Sequence, residues 1–386
     1  MSSPGRAGRG AVRSRRSALD VAVVGTAGPA SRALLRALVS AAARGTTTAR
    51  PGGADGEARI GTVIAVDTEP PSVGGVEYRR ADPGDPSLVE ALAGVRAAAY
   101  VATSTNLERD LALGARARRE RSLRVAQTVI TAAAAARVGH LVVVTSAQTF
   151  GAQADNAVPL DDDAPLRAAS DEGQVGDLMD VEQLVAVARD VHPGLTITVV
   201  RPAALVGEGV DTVLTRHFEA PRLLTLRGAE PAWQFCHVDD LGSAVALVIA
   251  QGVGGAVSVG AEGHLTQADL ERLTGMRQVQ LSLGAAMGTA DRLHRVGVLP
   301  APASDLAYVA FPWAVSARTL LGLGWVPVHD NETCLGVLLE AIRGSHAVAA
   351  RRLDRKDAAL GAASAAVALV GTAAIMRRHR RKGTTA

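Results

Sequence analysis

Four places in this 386-residue sequence carry residue types able to hold charge or move a proton. The first is the run Val23-Val24-Gly25-Thr26-Ala27-Gly28-Pro29-Ala30-Ser31. Gly25 allows a tight turn after an apolar strand, and small residues, Thr26 and Ala27, separate it from Gly28. Gly28 lets the backbone approach a pyrophosphate at the helix N-terminus, where unpaired amides and the helix dipole favour an anion. Pro29 is pre-set for the first helical turn. The same pattern also serves strand–helix turns that bind nothing. The second place is Asp67, at the end of the apolar run Thr62–Val66. A carboxylate there accepts from a ribose 2′-hydroxyl and repels a 2′-phosphate, so the pair predicts NAD rather than NADP. The bland alternative is a solvated loop acid. The distance in sequence from Gly25 to Asp67 is long, and the Gly/Thr-rich stretch Gly45–Ala58 accounts for the excess. The third place is His237, whose ring titrates near neutrality and so suits acid–base work, or a merely structural role. The fourth, Asp161-Asp162-Asp163, has the composition of a metal site, but three adjacent acids in a Pro-flanked loop read as solvated.

Counts exclude other chemistries. The chain has two lysines, Lys356 and Lys382, both near its C-terminal end, so no lysine is available for catalysis in the body. Two distant cysteines, Cys236 and Cys334, make neither a disulfide scaffold nor a cysteine-built zinc site, and they suit a reducing cytoplasm. Aromatics are 3% of the chain, too few for a stacking platform. Residues 1–17 carry +5 and residues 349–386 carry +7, which leaves the body at −9 within a formal total of +3. An acidic body disfavours nucleic-acid binding, which needs a basic face.

These residues need a scaffold, and hydrophobic periodicity supplies one. Apolar runs at Val21–Val24, Thr62–Val66, Val76–Arg79, Ala97–Ala102, His140–Thr145 and Leu195–Val200 read as strands. Between them Ser31–Ala43, Pro86–Ala93, Arg121–Ala136 and Asp177–Val191 read as helices. Such alternation predicts an α/β fold, a doubly wound parallel sheet covered by helices on both faces. The expected organisation is a basic disordered leader over 1–17, a dinucleotide-binding domain over 18–206, and a smaller substrate-binding lobe over 207–348 interleaved with it. A basic tail over 349–386 completes the chain. The tail contains Ala358–Met376, 19 residues without a charge. As a helix this is roughly long enough to cross a bilayer core. With nine alanines and basic flanks it also reads as a surface helix or an interfacial anchor, so the expected location is cytoplasmic with a membrane surface as one partner.

The ordered set of motifs resembles the extended short-chain dehydrogenase/reductases, specifically the NAD-dependent epimerase/dehydratase family with UDP-glucose 4-epimerase-like members. Gly25-x-x-Gly28-x-x-Ser31 is similar to that family's glycine turn, with serine for the third glycine. Arg80-Ala81-Asp82-Pro83 resembles its strand-end acid near the adenine, and Ala102-Thr103 its small residues beneath the nicotinamide ribose. Val144-Thr145-Ser146 through Gly151 resembles the segment carrying the active-site serine, Ser146. Val200-Arg201-Pro202, Phe235–Asp240 and Ser316–Pro327 resemble later family elements. The resemblance implies a Rossmann-type sheet, NAD, a nucleotide-sugar-like substrate, and a homodimer formed through Arg121–Ala136 and Asp177–Val191.

The resemblance breaks at the reaction centre. The family uses a tyrosine and, four residues on, a lysine, on the helix after the serine. Aligning Glu182 with the family's glutamate places Gln174 at the tyrosine and Leu178 at the lysine. An apolar leucine can neither bind a ribose hydroxyl nor lower a neighbour's pKa, so the usual tyrosine–lysine mechanism is absent. The remaining proton carriers are Asp177, Gln174 through a water, and His237. The arginine that often precedes the family's HVDD element is also absent. Arg201 is expected to support the substrate lobe, and Arg216 and Arg227, with Arg222, are the candidates for a diphosphate. Four readings therefore follow: an altered enzyme, a cofactor-binding sensor, a scaffold with a vestigial site, and a nucleic-acid binder driven by the two basic ends, whose binding would fall steeply with salt.

Overall fold

The computed structural model describes residues 18–45, 47–48, 58–169, 173–296 and 302–351. The basic leader, most of the Gly/Thr-rich stretch and the apolar segment 358–376 lie outside these residues. Among the described residues, no helix is long and apolar enough to cross a membrane.

Seven parallel strands form the main sheet. They are β1 (Ala18–Val24), β2 (Ala58–Asp67), β3 (Glu77–Arg80), β4 (Ala97–Val101), β5 (His140–Val144), β6 (Thr196–Pro202) and β7 (Gly255–Val259). Their spatial order is β3-β2-β1-β4-β5-β6-β7, and Thr47–Thr48 pairs antiparallel with the start of β2. The chain thus winds outward from β1 in one direction and then in the other, the arrangement of a Rossmann-type sheet.

Successive side chains of a strand point to opposite faces, so strands apolar at every position must be covered twice. Val21, Val23, Ala97, Ala99, Val142 and Val144 enter one core, whereas Ala22, Val24, Ala98, Leu141 and Val143 enter the other. The first is covered by α1 (Pro29–Arg44), through Ala33, Leu34 and Leu38, and by α4 (Val238–Gln251), through Leu241 and Val245. The second is covered by α2 (Ala115–Ala135), through Val129, Ile130 and Ala133, and by α3 (Gln174–Val191), through Val181 and Val185. Fully burying each such Val, Leu or Ile contributes about 1.5–3 kcal/mol. Small residues let α1 and α4 approach closely: a methyl group on Gly242 would stand 2.8 Å from the Ala33 carbonyl oxygen.

Beyond β6 the chain builds two short parallel pairs, Ala204–Val206 with Phe235–His237 and Leu223–Arg227 with Gln278–Ser282. It also returns β7 to the main sheet beside β6. Three helix bounds depart from the periodicity. α2 begins at Ala115, six residues before the expected start, because Ala115–Arg124 is too charged to show an apolar stripe. α3 begins at Gln174, which puts Gln174 and Asp177 in its first turn. The helix expected over Pro86–Ala93 is limited to Leu88–Ala91.

Candidate functional site

The direction of winding reverses between β1 and β4, and ligands of open α/β sheets bind beyond the strand ends at that point. A cavity of about 440 Å³ lies there. Its walls include Gly25, Ala27, Gly28 and Asp67, then Asp82 and Pro83 after β3, and Ala102 and Thr103 after β4.

The glycine turn is braced by the acid across from it. Gly25 has φ +77°, and its amide donates to the Val66 carbonyl at 2.9 Å. The Thr26 amide donates to Asp67 Oδ2 at 2.6 Å and the Thr26 hydroxyl to the same oxygen at 3.2 Å. Asp67 Oδ1 accepts from the Thr68 amide at 2.7 Å. Oδ1 also accepts a long bond from the Thr68 hydroxyl at 3.3 Å, and a ribose hydroxyl can replace that donor if the Thr68 hydroxyl turns away. Gly28 is the N-cap of α1 and supplies no side-chain cap, so the first-turn amides stay free for an anion. A methyl group on Gly28 would come within 3.3 Å of Thr105 Oγ1. This narrow cradle of backbone donors, with an acid beside it, fits a dinucleotide.

At the other end of the cavity stand Ser146, Gln148, Gln174, Asp177 and Leu178. Ser146 Oγ accepts from the Gln148 amide at 3.2 Å, which pins the turn Ala147–Phe150. Gln174 Nε2 donates to Asp110 Oδ2 at 2.5 Å. Arg118 Nε donates to Asp177 Oδ2 at 2.6 Å, while Asp177 Oδ1 is buried with no hydrogen-bond partner. Burial raises the Asp177 pKa above its ordinary value, against the lowering effect of Arg118 and Arg119. Burial likewise raises Asp110, against Ser104, Arg118, Arg109 and Gln174. Asp110 and the arginines Arg109, Arg118 and Arg121 all line the cavity, yet no motif in the sequence marks them. The helix carrying Arg109 and Asp110, Leu107–Ala112, is a short polar turn capped by Asn106 and has no apolar stripe to announce it.

The remaining sequence candidates fall outside this cavity. Arg201 is buried behind the Ser146 turn. Its Nη2 donates to Glu182 Oε2 at 2.6 Å and its Nη1 to the Asp162 carbonyl at 3.0 Å. Its guanidinium stacks over Phe150, 4.9 Å from the ring centroid. Glu182 also accepts from Thr145 and Thr149, so this network fixes the turn that presents Ser146. Arg216 is paired with Asp211, at 2.7 and 2.9 Å. Arg227 is exposed at the end of its strand. Neither reaches the cavity wall, so no diphosphate site forms from them there. His237 is the N-cap of α4: its Nδ1 accepts from the Asp239 amide at 3.2 Å, and its ring stacks 3.9 Å from that of His329. Burial and His329 lower its pKa. Of the three adjacent acids, Asp162 is bound rather than solvated, accepting from the Ser258 amide and Thr319 Oγ1, each at 2.6 Å. No group of metal-ligating side chains occurs among the described residues.

The cavity is also lined by the apolar Pro202, Ala203, Ala204, Leu205, Val213 and Leu214, with Thr212 and Asp305 as polar members.

Residues 21–260 match the model of the NAD dependent epimerase/dehydratase family. A relative from Mycobacterium tuberculosis (strain H37Rv), "Uncharacterized protein Rv0501", is 25% identical over 243 residues, covering 61% of this chain and 64% of its own length. The chain thus spans somewhat under two thirds of the curated relatives it matches. Among solved structures, the Thermus thermophilus UDP-glucose 4-epimerase complex with NAD superposes with a TM-score of 0.60 at 16% identity, over 85% of this chain and 100% of that one. The Streptomyces venezuelae dTDP-glucose 4,6-dehydratase DesIV, a double mutant with NAD and DAU bound, gives 0.60 at 20% identity, over 85% and 98%. Both likenesses concern the fold.

Proposed function

Because the chain belongs to the NAD dependent epimerase/dehydratase family, we propose that it holds NAD along the Gly25–Gly28 turn and works on a nucleotide-sugar-like substrate with an altered catalytic set. The observation that carries this reading is the cavity at the reversal of strand order, which has the uncapped N-terminus of α1 and Asp67 at one end and Ser146 at the other. Solved relatives of this fold hold NAD, and one of them is a UDP-glucose 4-epimerase. In this reading Gly25, Thr26, Ala27 and Gly28 form the pyrophosphate cradle, Asp67 takes the adenosine ribose, and Asp82, Ala102 and Thr103 flank the base and second ribose. Bound there, the dinucleotide would supply hydride chemistry, and Ser146 would donate a hydrogen bond to the reacting oxygen.

The altered set is the pair Gln174 and Leu178, both in the cavity wall where the family resemblance aligns a tyrosine and a lysine. Leu178 has no donor, and the Gln174 amide does not titrate. The same pair favours a second reading, a non-catalytic cofactor sensor that the C-terminal segment holds at a membrane surface. Incubating the protein with NAD⁺ and a panel of UDP- and dTDP-sugars, and following product sugar and NADH, separates the two. An enzyme converts at least one sugar and loses conversion in Ser146→Ala. A sensor converts none and binds cofactor equally with and without that substitution.

A further inference from the structure

We propose that Asp110 is the proton-transferring group of this cleft, accepting the hydroxyl proton of the substrate in place of a tyrosine. The proposal rests on the dinucleotide-binding reading above.

Position comes first. Asp110 lines the same cavity as Ser146 and the glycine turn. Its Oδ2 accepts from Gln174 Nε2 at 2.5 Å, so it is tied directly to the position that aligns with the family's tyrosine. Ser104, another wall residue, favours its carboxylate form. It is half-buried, so one side meets the cavity and the other meets protein.

The other titratable groups near the cavity are less suited. Asp177 also lines the cavity, but Arg118 holds its Oδ2 at 2.6 Å and its side chain is only 6% exposed, so it is less open to a substrate than the half-buried Asp110. His237 lies outside the cavity wall and its ring caps α4. Tyr100 lines the cavity, but burial raises its phenol above the ordinary value, the wrong direction for a group that must lose a proton near neutrality. Ser146 is a donor with no basic partner: its hydroxyl faces Gln148 Oε1 at 3.4 Å.

The charged groups facing Asp110 are Arg109 on its own helix and Arg118 on α2, with Ser104 and Gln174 as neutral donors. All four favour the carboxylate, and burial opposes them and prevails, raising its proton affinity. A base of this kind is closer to operating pH than a solvated aspartate. In the step, the substrate O–H bond breaks and the proton passes to an Asp110 carboxylate oxygen. The electron pair of the carbinol C–H bond leaves as hydride to the oxidised nicotinamide dinucleotide as the C=O bond forms.

The test counts protons. NAD⁺ carries a positive nicotinium ring and NADH does not, so only the oxidised form favours the Asp110 carboxylate electrostatically. Calorimetric titration of the full chain with NAD⁺ and with NADH, repeated in buffers of different ionisation enthalpy across mildly acidic pH, gives the protons released on binding. The expected result is release of up to about one proton more with NAD⁺ than with NADH, and loss of that difference in Asp110→Asn. Gln174→Leu removes a donor that stabilises the carboxylate, so the release window moves to higher pH. This variant carries the test alone if Asp110→Asn does not fold. A proton difference that persists in Asp110→Asn, or a window that stays or moves down in Gln174→Leu, overturns the assignment. Cofactor binding with either outcome leaves the dinucleotide reading standing, whereas no binding of either cofactor overturns both.

Discussion

Two buried carboxylate–arginine arrangements lie near the strand ends of one sheet, and they are built to opposite standards. Glu182 receives Arg201 through Nε and Nη2, and both Thr145 and Thr149 add hydroxyl donors to it. Asp177 receives Arg118 on one oxygen and leaves the other buried and unpartnered, and its neighbour Asp110 relies on neutral donors and more distant charges. A fully bonded ion pair serves geometry, here the turn that presents Ser146. An incompletely bonded one keeps a raised proton affinity, and residues of that kind cluster where chemistry is done. The contrast separates the groups that hold the site from those that could act in it.

The largest expected effect tests the bonded member. Glu182→Ala leaves the Arg201 guanidinium buried without its partner, which costs about 3–5 kcal/mol. Chemical denaturation measures it, and a loss below about 1 kcal/mol would mean the network does not hold the turn.

Next is cofactor choice. Asp67→Ser removes the carboxylate that would repel a 2′-phosphate, so discrimination between NADH and NADPH relaxes by about tenfold or more. Paired fluorescence titrations read the ratio, and an unchanged ratio removes Asp67 from the ribose site.

The incompletely bonded acids predict a pH dependence. Burial raises Asp110 and Asp177 in the folded chain, so the folded state binds more protons than the unfolded one between the two pKa values. Stability is therefore fullest below the ordinary carboxylate pKa and falls as pH rises through the raised one. Asp110→Asn flattens its part of that fall, seen by comparing melting temperatures across mildly acidic pH. A steeper fall in the variant would mean that Asp110 contributes with the opposite sign.

The smallest effect belongs to the half-exposed bridge between Arg119 and Asp180, at 2.6 Å with side chains 31% and 24% exposed. Arg119→Ala costs about 1 kcal/mol or less. A loss as large as that of Glu182→Ala would erase the distinction between buried and half-exposed pairs.

Much of this is legible in the residues. Strands apolar at every position, such as His140–Val144, require cover on both faces and so announce a parallel sheet, and Gly25, Gly28 and Asp67 announce the cradle. Local patterns do not show which distant polar groups meet. Arg201 reads as a substrate residue until Glu182, 19 positions away, is seen beside it. Asp110 is invisible in sequence, since it reaches Gln174 across 64 positions. Arg216 has a partner only five residues away, Asp211, a pairing that spacing on a helix does not suggest because Asp211 precedes the helix. The returning strand β7 carries little signal of its own, because Gly255–Val259 is short and lies where the apolar pattern loosens.

The most direct test of the central claim is a calorimetric titration of NADH into the full chain beside Gly28→Asp. The account predicts saturable binding to the natural chain and a loss on the order of a hundredfold in the variant, because a carboxylate at the N-terminus of α1 would face the pyrophosphate. Equal binding by both, or none to the natural chain at millimolar cofactor, would contradict it.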